Sequence, residues 1–235
     1  MDDLVNIKKK NLAIILARKG SKRIPNKNII KFNNKPLIAW TIEAAKKSKI
    51  FDNIIVSTDS EKIKRIAIDF GAEVPFKREK FFDDNSPSSL ATLYTVKKMK
   101  IELGLDFDNI FQLLPSCPFR NAETIKKCYN FFKNKKISSL ISCSQFSCVN
   151  PWWSIHINSK NDAKHLFPDK LKKRSQDLKK IYGISGAVWI IKNDKLKKHK
   201  TFYCPGHKYF PIDTLSAIDI DTKDDLIFAS KIRVK

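Results

Sequence analysis

The chain has 235 residues, 42% of them hydrophobic, which suits one large α/β domain with a substantial core. No apolar run approaches the roughly 20 residues that span a bilayer. The net charge is +22, yet 39 of the 46 basic residues are Lys, only 7 are Arg, and they are spread along the whole chain, so they read as a solvated surface rather than a nucleic-acid-binding block. Such a field still favours an anionic substrate.

The N-terminal stretch MDDLVNIKKKNLAIILARKG places charge on both sides of a short apolar run and lacks a small-residue cleavage site, so it does not read as a signal peptide. Residues 12–17, LAIILA, predict a central parallel strand ending at Arg18. A basic loop, RKGSKRIPNKN, follows. Pro36 then opens the helix pattern PLIAWTIEAAKKS. Residues 53–59, NIIVSTD, predict the second strand, and Asp59-Ser60 caps a helix that closes on Gly71. A short strand near Val74, a polar loop DDNSPSS, a helix over residues 88–103 and a strand NIFQLLP come next. Asn121 caps the helix AETIKKCYNFFK, and SSLISCSQ is a further strand.

This alternation predicts an α/β fold with a doubly wound, mostly parallel sheet, in which ligands sit beyond the C-terminal ends of the strands. Arg18, Asp59 and residues 115–120 are expected there. The pattern breaks at about residue 145. Residues 145–183 are aromatic and basic with weak periodicity, and are expected to form an insertion or arm within the single domain 1–235. Order resumes with GAVWII, and SAIDIDTKDDLIFASKI predicts a short strand, then a helix started by Thr222 with acidic residues in its first turn.

Five cysteines, Cys117, Cys128, Cys143, Cys148 and Cys204, form an odd set with no C-x-x-C, which argues against a disulfide framework or a structural zinc and points to a reducing cytoplasm. His156, His165, His199 and His207 show no metal-ligand spacing. Arg18, Lys22 and Lys27 bring three cations to one loop, and Gly20 is expected to let its backbone turn tightly and present N–H groups. That set suits a polyphosphate, although G-x-x-x-x-G-K-[ST] is absent and a solvated basic loop is the competing reading. Asp219 and Asp221 in D-I-D are expected on one face of a strand, where two carboxylates would repel without a cation between them. Mg²⁺ suits a few carboxylates with phosphate oxygens; strand-end acidity beside a helix cap is the alternative.

The segment LAIILARKGSKRIPNKNI resembles the opening motif of the acylneuraminate cytidylyltransferases, or CMP-sialic acid synthetases, roughly (I/L)-x-A-R-x-x-S-K-x-(I/L)-x-x-K-N. IIVSTDSEKI, LLPSCPFRNAETI (against Q-P-T-S-P-L-R), RSQDLKKIY with SGAVWI (against R-x-Q-D-L and N-G-A-I-Y-I) and SAIDIDTKDDL (against I-D-I-D-T-x-x-D-L) continue the resemblance over about residues 11–230. It implies a Rossmann-like fold of the nucleotide-diphospho-sugar transferase type with a dimerisation insertion. It implies a homodimeric, Mg²⁺-dependent enzyme that joins CTP to an acidic nine-carbon sugar, with no nucleic-acid or membrane partner. Arg18, Gly20, Ser21, Lys22, Lys27 and Asn28 would hold the nucleotide, Arg78 and Ser88 its base, and Asp219 and Asp221 the metal; Arg18, Lys22, Asp219 and Asp221 would carry catalysis. Arg174 and Gln176 are candidates for the sugar.

The sequence departs from the sialate pattern where Leu114 replaces a Gln, Trp153 a Lys, Trp189 a Tyr and Ser185 an Asn. Apolar replacements at Leu114, Trp153 and Trp189 favour a deoxygenated, acylated sugar of the legionaminic or pseudaminic acid type. The alternative places the tryptophans in the core or at a dimer interface. Two other functions remain open: a Kdo-type or other sugar cytidylyltransferase, and a basic nucleic-acid-binding protein.

Overall fold

A computed structural model describes residues 7–83, 85–146 and 149–232; Cys148 and the first six residues lie outside that set. Strand β1 (Ile7–Leu16) is an internal strand, one in from the edge of a six-stranded sheet. It pairs in parallel with β4 (Asn53–Ser57) on one side and β5 (Leu105–Leu113) on the other. The chain thus leaves β1 to one side and returns to the other, which opens a crevice at the C-terminal end of β1. Beyond β5 lie β9 (Tyr182–Lys192), β6 (Ser139–Gln145) and the edge strand β10 (His207–Pro211). β9 is antiparallel to both its neighbours, and the other five strands share one direction. GAVWII therefore inserts antiparallel between two strands that the alternation alone would have placed side by side.

Period-two alternation assigns the two faces of the sheet. In β1, Ala13 and Ile15 pack with helices α1 (Leu37–Ser48), α2 (Glu61–Asp69) and α4 (Ala122–Asn134). Leu12 and Ile14 face the opposite layer, with Leu93, Val96 and Met99 of α3 (Ser88–Leu103) and Leu196 of α5 (Asn193–His199). A third apolar cluster joins Ile24, Phe32, Leu37, Phe119, Ile220 and Ala229. It ties the loop after β1 to the segment before α6 (Lys223–Ser230), which are nearly 200 residues apart in sequence.

Local signals behave as their chemistry demands. The Ser60 hydroxyl accepts from the Ile63 N–H at 3.4 Å, Asn121 accepts from the Thr124 N–H at 2.9 Å, and Thr222 forms a capping box with Asp225. Gly71 takes the left-handed conformation after α2. The strand expected near Val74 shrinks to one bridge between Ile55 and Glu73, because Pro75 cannot donate the next ladder bond. The strand expected at D-I-D does not form either: residues 218–221 hold no ladder, and the Ile220 N–H donates instead to the Ser116 carbonyl at 2.8 Å. Two short strands, β2 (Lys31–Phe32) and β3 (Lys35–Pro36), pair between the loop after β1 and α1.

Residues 149–181 leave the sheet and return to it. They form a two-stranded ribbon, β7 (Ile155–Ile157) with β8 (Ala163–His165), and three single turns of 3-10 helix. Almost every side chain from 155 to 179 is exposed, including Ile157, Leu166 and Leu171. Among the described residues no helix is long and apolar enough to cross a membrane.

Candidate active site

The loop after β1 is held from below. The Asn28 side chain is buried and donates to the Arg18 carbonyl at 2.9 Å, and Asp59, at the end of β4, accepts from the Lys19 N–H at 2.8 Å. Ile24 anchors the far side of the loop in the third apolar cluster. The tight geometry falls at Asn26, whose φ is 55°, and not at Gly20: Gly20 is outside the left-handed region, and a Cβ there would meet nothing within 4 Å. The conformational reason expected for Gly20 is therefore absent from this structure.

A cleft of about 350 Å³ opens above this loop. Arg18, Ser21, Lys22, Lys27 and Asn28 line one wall, Arg78 and Ser88 another, and Leu114, Asp219 and Asp221 a third. Ten residues from five separate stretches of the sequence thus line one cleft. The pair at 219 and 221 faces the loop because Ile220 between them turns into the same apolar cluster as Ile24. Alternation places the two carboxylates together even without a strand.

Their environments differ. Asp221 sits between Lys27 Nζ at 2.7 Å and Arg23 Nη2 at 3.0 Å. Burial acts to raise its pKa, but the hydrogen bond and charge of Lys27, with Arg23, overcome that and hold it below the usual carboxylate value. Asp219 is pushed the other way, by burial first and by its neighbour Asp221, against a hydrogen bond to Ser116. Its Oδ1 is buried and has no hydrogen-bond partner. A buried, unpartnered carboxylate oxygen is costly unless a ligand completes it. That orphaned oxygen belongs to a residue lining a cleft rich in cationic side chains, and it fits a hard cation.

The part of the cleft lined by Arg78 buries a charge. Arg78 is 2% exposed, and its Nε finds no hydrogen-bond partner. Burial lowers its pKa, with Asp59 opposing and Arg18 assisting. An exposed turn closes this side: the Asp83 carboxylate accepts from the Ser86 N–H at 2.8 Å and the Ser86 hydroxyl at 2.6 Å.

Four predicted sugar residues lie away from the cleft. Trp189 stacks edge-on with Phe202 and Tyr203, at 5.3 and 5.8 Å between centroids, and its Nε1 donates to the Ser185 carbonyl. It belongs to the α3/α5 layer of the core. Trp153 is 41% exposed on the arm. Arg174 pairs with Asp177 at 2.9 Å, and Gln176 lines a separate hollow with Asn150 and Ser175.

The sequence reading gave no role to two arginines, Arg23 and, at the end of LLPSCPFR, Arg120. Arg23 is adjacent to Lys22 and pairs with Asp221, a contact that depends on long-range folding and leaves no local pattern. Arg120 is 1% exposed beneath the Leu114–Ser116 turn, and burial pulls its guanidinium down to about 10.

Comparison with known proteins agrees with this geometry. The family model described as cytidylyltransferase matches residues 12–139. A pseudaminic acid cytidylyltransferase of Campylobacter jejuni is 36% identical over 221 residues, 94% of either chain. A CMP-N,N'-diacetyllegionaminic acid synthase of Legionella pneumophila is 33% identical over 224 residues, 94% of this chain and 95% of the relative. Among solved structures, a CMP:2-keto-3-deoxy-manno-octonic acid synthetase complexed with CTP superposes with a TM-score of 0.66 over 95% of this chain and 100% of its own, at 16% identity, which carries the fold alone. With a family model matched over more than half of its length and relatives matched almost end to end, this chain belongs to the cytidylyltransferase family.

Proposed function

We propose that this cytidylyltransferase activates an acidic nine-carbon sugar of the pseudaminic or legionaminic acid type with CTP, releasing pyrophosphate and the CMP-sugar. The observation that carries the reading is the cleft itself: the cations of the loop after β1 and the pair Asp219 and Asp221 line one space of about 350 Å³, in a chain about a third identical to enzymes named for those sugars.

The anomeric hydroxyl of the sugar attacks the α-phosphorus of CTP, an α-phosphorus–oxygen bond breaks, and pyrophosphate leaves. Little covalent work falls to the protein; position and charge do the rest. Arg18 and Lys22 offset charge on the departing pyrophosphate. Asn28 and Asp59 keep the loop in place for them. Arg78 and Ser88 lie on the wall where the base is held. Asp219 and Asp221 would hold Mg²⁺, which supplies charge neutralisation between phosphate oxygens when bound. Lys27 and Arg23, which pair with Asp221, also line the cleft, where their charges would favour phosphate.

The exposed arm of residues 149–181 suits a homodimer in which its apolar side chains are covered and Arg174 and Gln176 reach a neighbour's sugar. A reducing cytoplasm suits the four buried, free cysteines among the described residues.

Pyrophosphate release with CTP tests the reading, using pseudaminic, N,N'-diacetyllegionaminic and N-acylneuraminic acids and the eight-carbon 3-deoxy-manno-octulosonic acid as substrates. Turnover is expected with the first two. Turnover with the eight-carbon acid alone, or with none of the four, overturns it.

A further inference from the structure

Arg120 poses a problem of energetics. It is among the largest fully buried side chains, and its Nε and Nη2 have no hydrogen-bond partner. A guanidinium so placed costs several kcal/mol by desolvation. Apolar replacements of buried charges are often neutral or stabilising, so fold stability is a poor reason for an arginine here.

Its one set of contacts is specific. Nη1 donates to the Leu114 carbonyl at 3.1 Å and to the Ala187 carbonyl at 2.9 Å. Leu114 follows the last residue of β5, and Ala187 lies in the antiparallel β9 beside it. Their regular ladder stops at Gln112 and Trp189. Beyond it the strands are joined by one backbone bond, from the Leu114 N–H to the Gly186 carbonyl at 3.3 Å. Arg120 bridges the two strands where the ladder gives out. The approach there is close: a Cβ on Gly186 would lie 2.6 Å from Leu114 Cδ1.

From Leu114 the chain passes through Pro115 to Ser116. The Ser116 carbonyl receives the Ile220 N–H at 2.8 Å, and its side chain is hydrogen-bonded to Asp219. The position of Asp219 in the cleft is therefore set through Ser116, and that of Ser116 through Leu114. The Arg120 charge also attracts Asp219 across the fully buried Cys117.

We propose that Arg120 is a positioning residue for the transfer reaction, clamping the carbonyls of Leu114 and Ala187 so that the Leu114–Ser116 turn holds Asp219 in place to receive the divalent cation. The proposal rests on the transfer reading above for its kinetic readout, but not for its binding readout.

The test compares the full-length protein with Arg120→Met and Arg120→Lys. Melting is followed by circular dichroism, Mn²⁺ binding in the presence of CTP by electron paramagnetic resonance, and pyrophosphate release for kcat and KM. Arg120→Met is expected to melt within a few degrees of the parent and to keep its KM for CTP within about threefold, since the phosphate loop is untouched. Its kcat is expected to fall by about a hundredfold, the cost of a misplacement near 1 Å, and its Mn²⁺ half-saturation to rise about tenfold. Arg120→Lys keeps a charge but no fork and is expected to recover only a small part of either loss.

Parent-like kcat and Mn²⁺ binding in both variants overturn the proposal. So does full recovery by Lys, which would leave charge alone as the cause, or a loss that merely follows the folded fraction. Failure of both variants to fold marks a folding residue and overturns it too. A parent protein that releases no pyrophosphate defeats the transfer reading, while the Mn²⁺ titration still judges Arg120.

Discussion

At the start of β5, Asp106 takes hydrogen bonds from Asn193 at 2.8 Å, Lys100 at 3.1 Å and Lys197 at 3.2 Å, and from the Phe107 N–H. Past the other end of the same strand, Asp219 is half-buried, with its Oδ1 buried and unpartnered. Both acids are withdrawn from water at the rim of one sheet. Burial opposes ionisation at each, but at Asp106 the two lysines prevail and its pKa falls, whereas at Asp219 burial prevails and its pKa rises. The N-terminal end of the sheet spends its acid on joining α5 to β5. The C-terminal end leaves its acid incomplete, which is what a ligand site requires and a stability site avoids.

The largest effect should come from completing or removing that difference at Asp219. Asp219→Asn is expected to lower kcat by about a thousandfold through loss of charge stabilisation at the phosphates, measured by pyrophosphate release. Its melting temperature at neutral pH should equal or exceed that of the parent. The reason is one of sign: a raised carboxylate pKa lends relative stability at low pH and withdraws it as pH rises through the folded value. An Asn variant that unfolds readily would place Asp219 with the structural acids. Arg18→Ala should follow with a loss of about a hundredfold in kcat, without a change in melting beyond a few degrees.

Asp106→Asn should reverse the pattern. We expect a loss of about 1–2 kcal/mol by urea denaturation, kept small because both lysines are partly solvated, and no change in kcat. The pH dependence follows from the lowered pKa. The contribution of Asp106 is present above its unfolded value of 3.8 and is lost as pH falls through the lower folded value. The stability gap between parent and variant should therefore close in acid. A gap that persists below pH 3 would mean the Asp106 network acts through packing.

Elements carried by local chemistry were legible in the sequence. Ser60, Asn121 and Thr222 cap where short polar side chains before an apolar period should cap, and the helix over residues 88–103 forms over that span. The basic loop after β1 and the acid pair were legible as residue types, and the cleft unites them. What escaped was set by distance. The antiparallel entry of β9 depends on where a 33-residue excursion returns, which no local period records. α5 and β10 are short, seven and five residues, so neither shows a clear apolar period. Arg23 and Arg120 are ordinary basic residues until Asp221 and Ala187, distant in sequence, come to meet them. Trp189 shows the converse: its identity suggested a binding platform, and packing on Phe202 uses its surface instead.

The smallest expected effect tests whether rigidity beside the cleft serves the acid pair or only its helix. Thr222 accepts from the Asp225 N–H at 3.2 Å, and the Asp225 carboxylate accepts from the N–H groups of Thr222 at 2.7 Å and Asp221 at 3.0 Å. One side chain thus caps α6 and also fixes the backbone of Asp221. Thr222→Ala removes the hydroxyl half of the box and leaves the Asp225 half standing. It should cost about 1 kcal/mol of stability, the usual value of a lost cap, and leave kcat within about twofold. Asp225→Ala loses the bond to Asp221 as well, so its kcat should fall further than its stability predicts. If the two variants lower kcat in simple proportion to stability, the capping box serves α6 alone, and Asp221 owes its position to Lys27, Arg23 and the burial of Ile220.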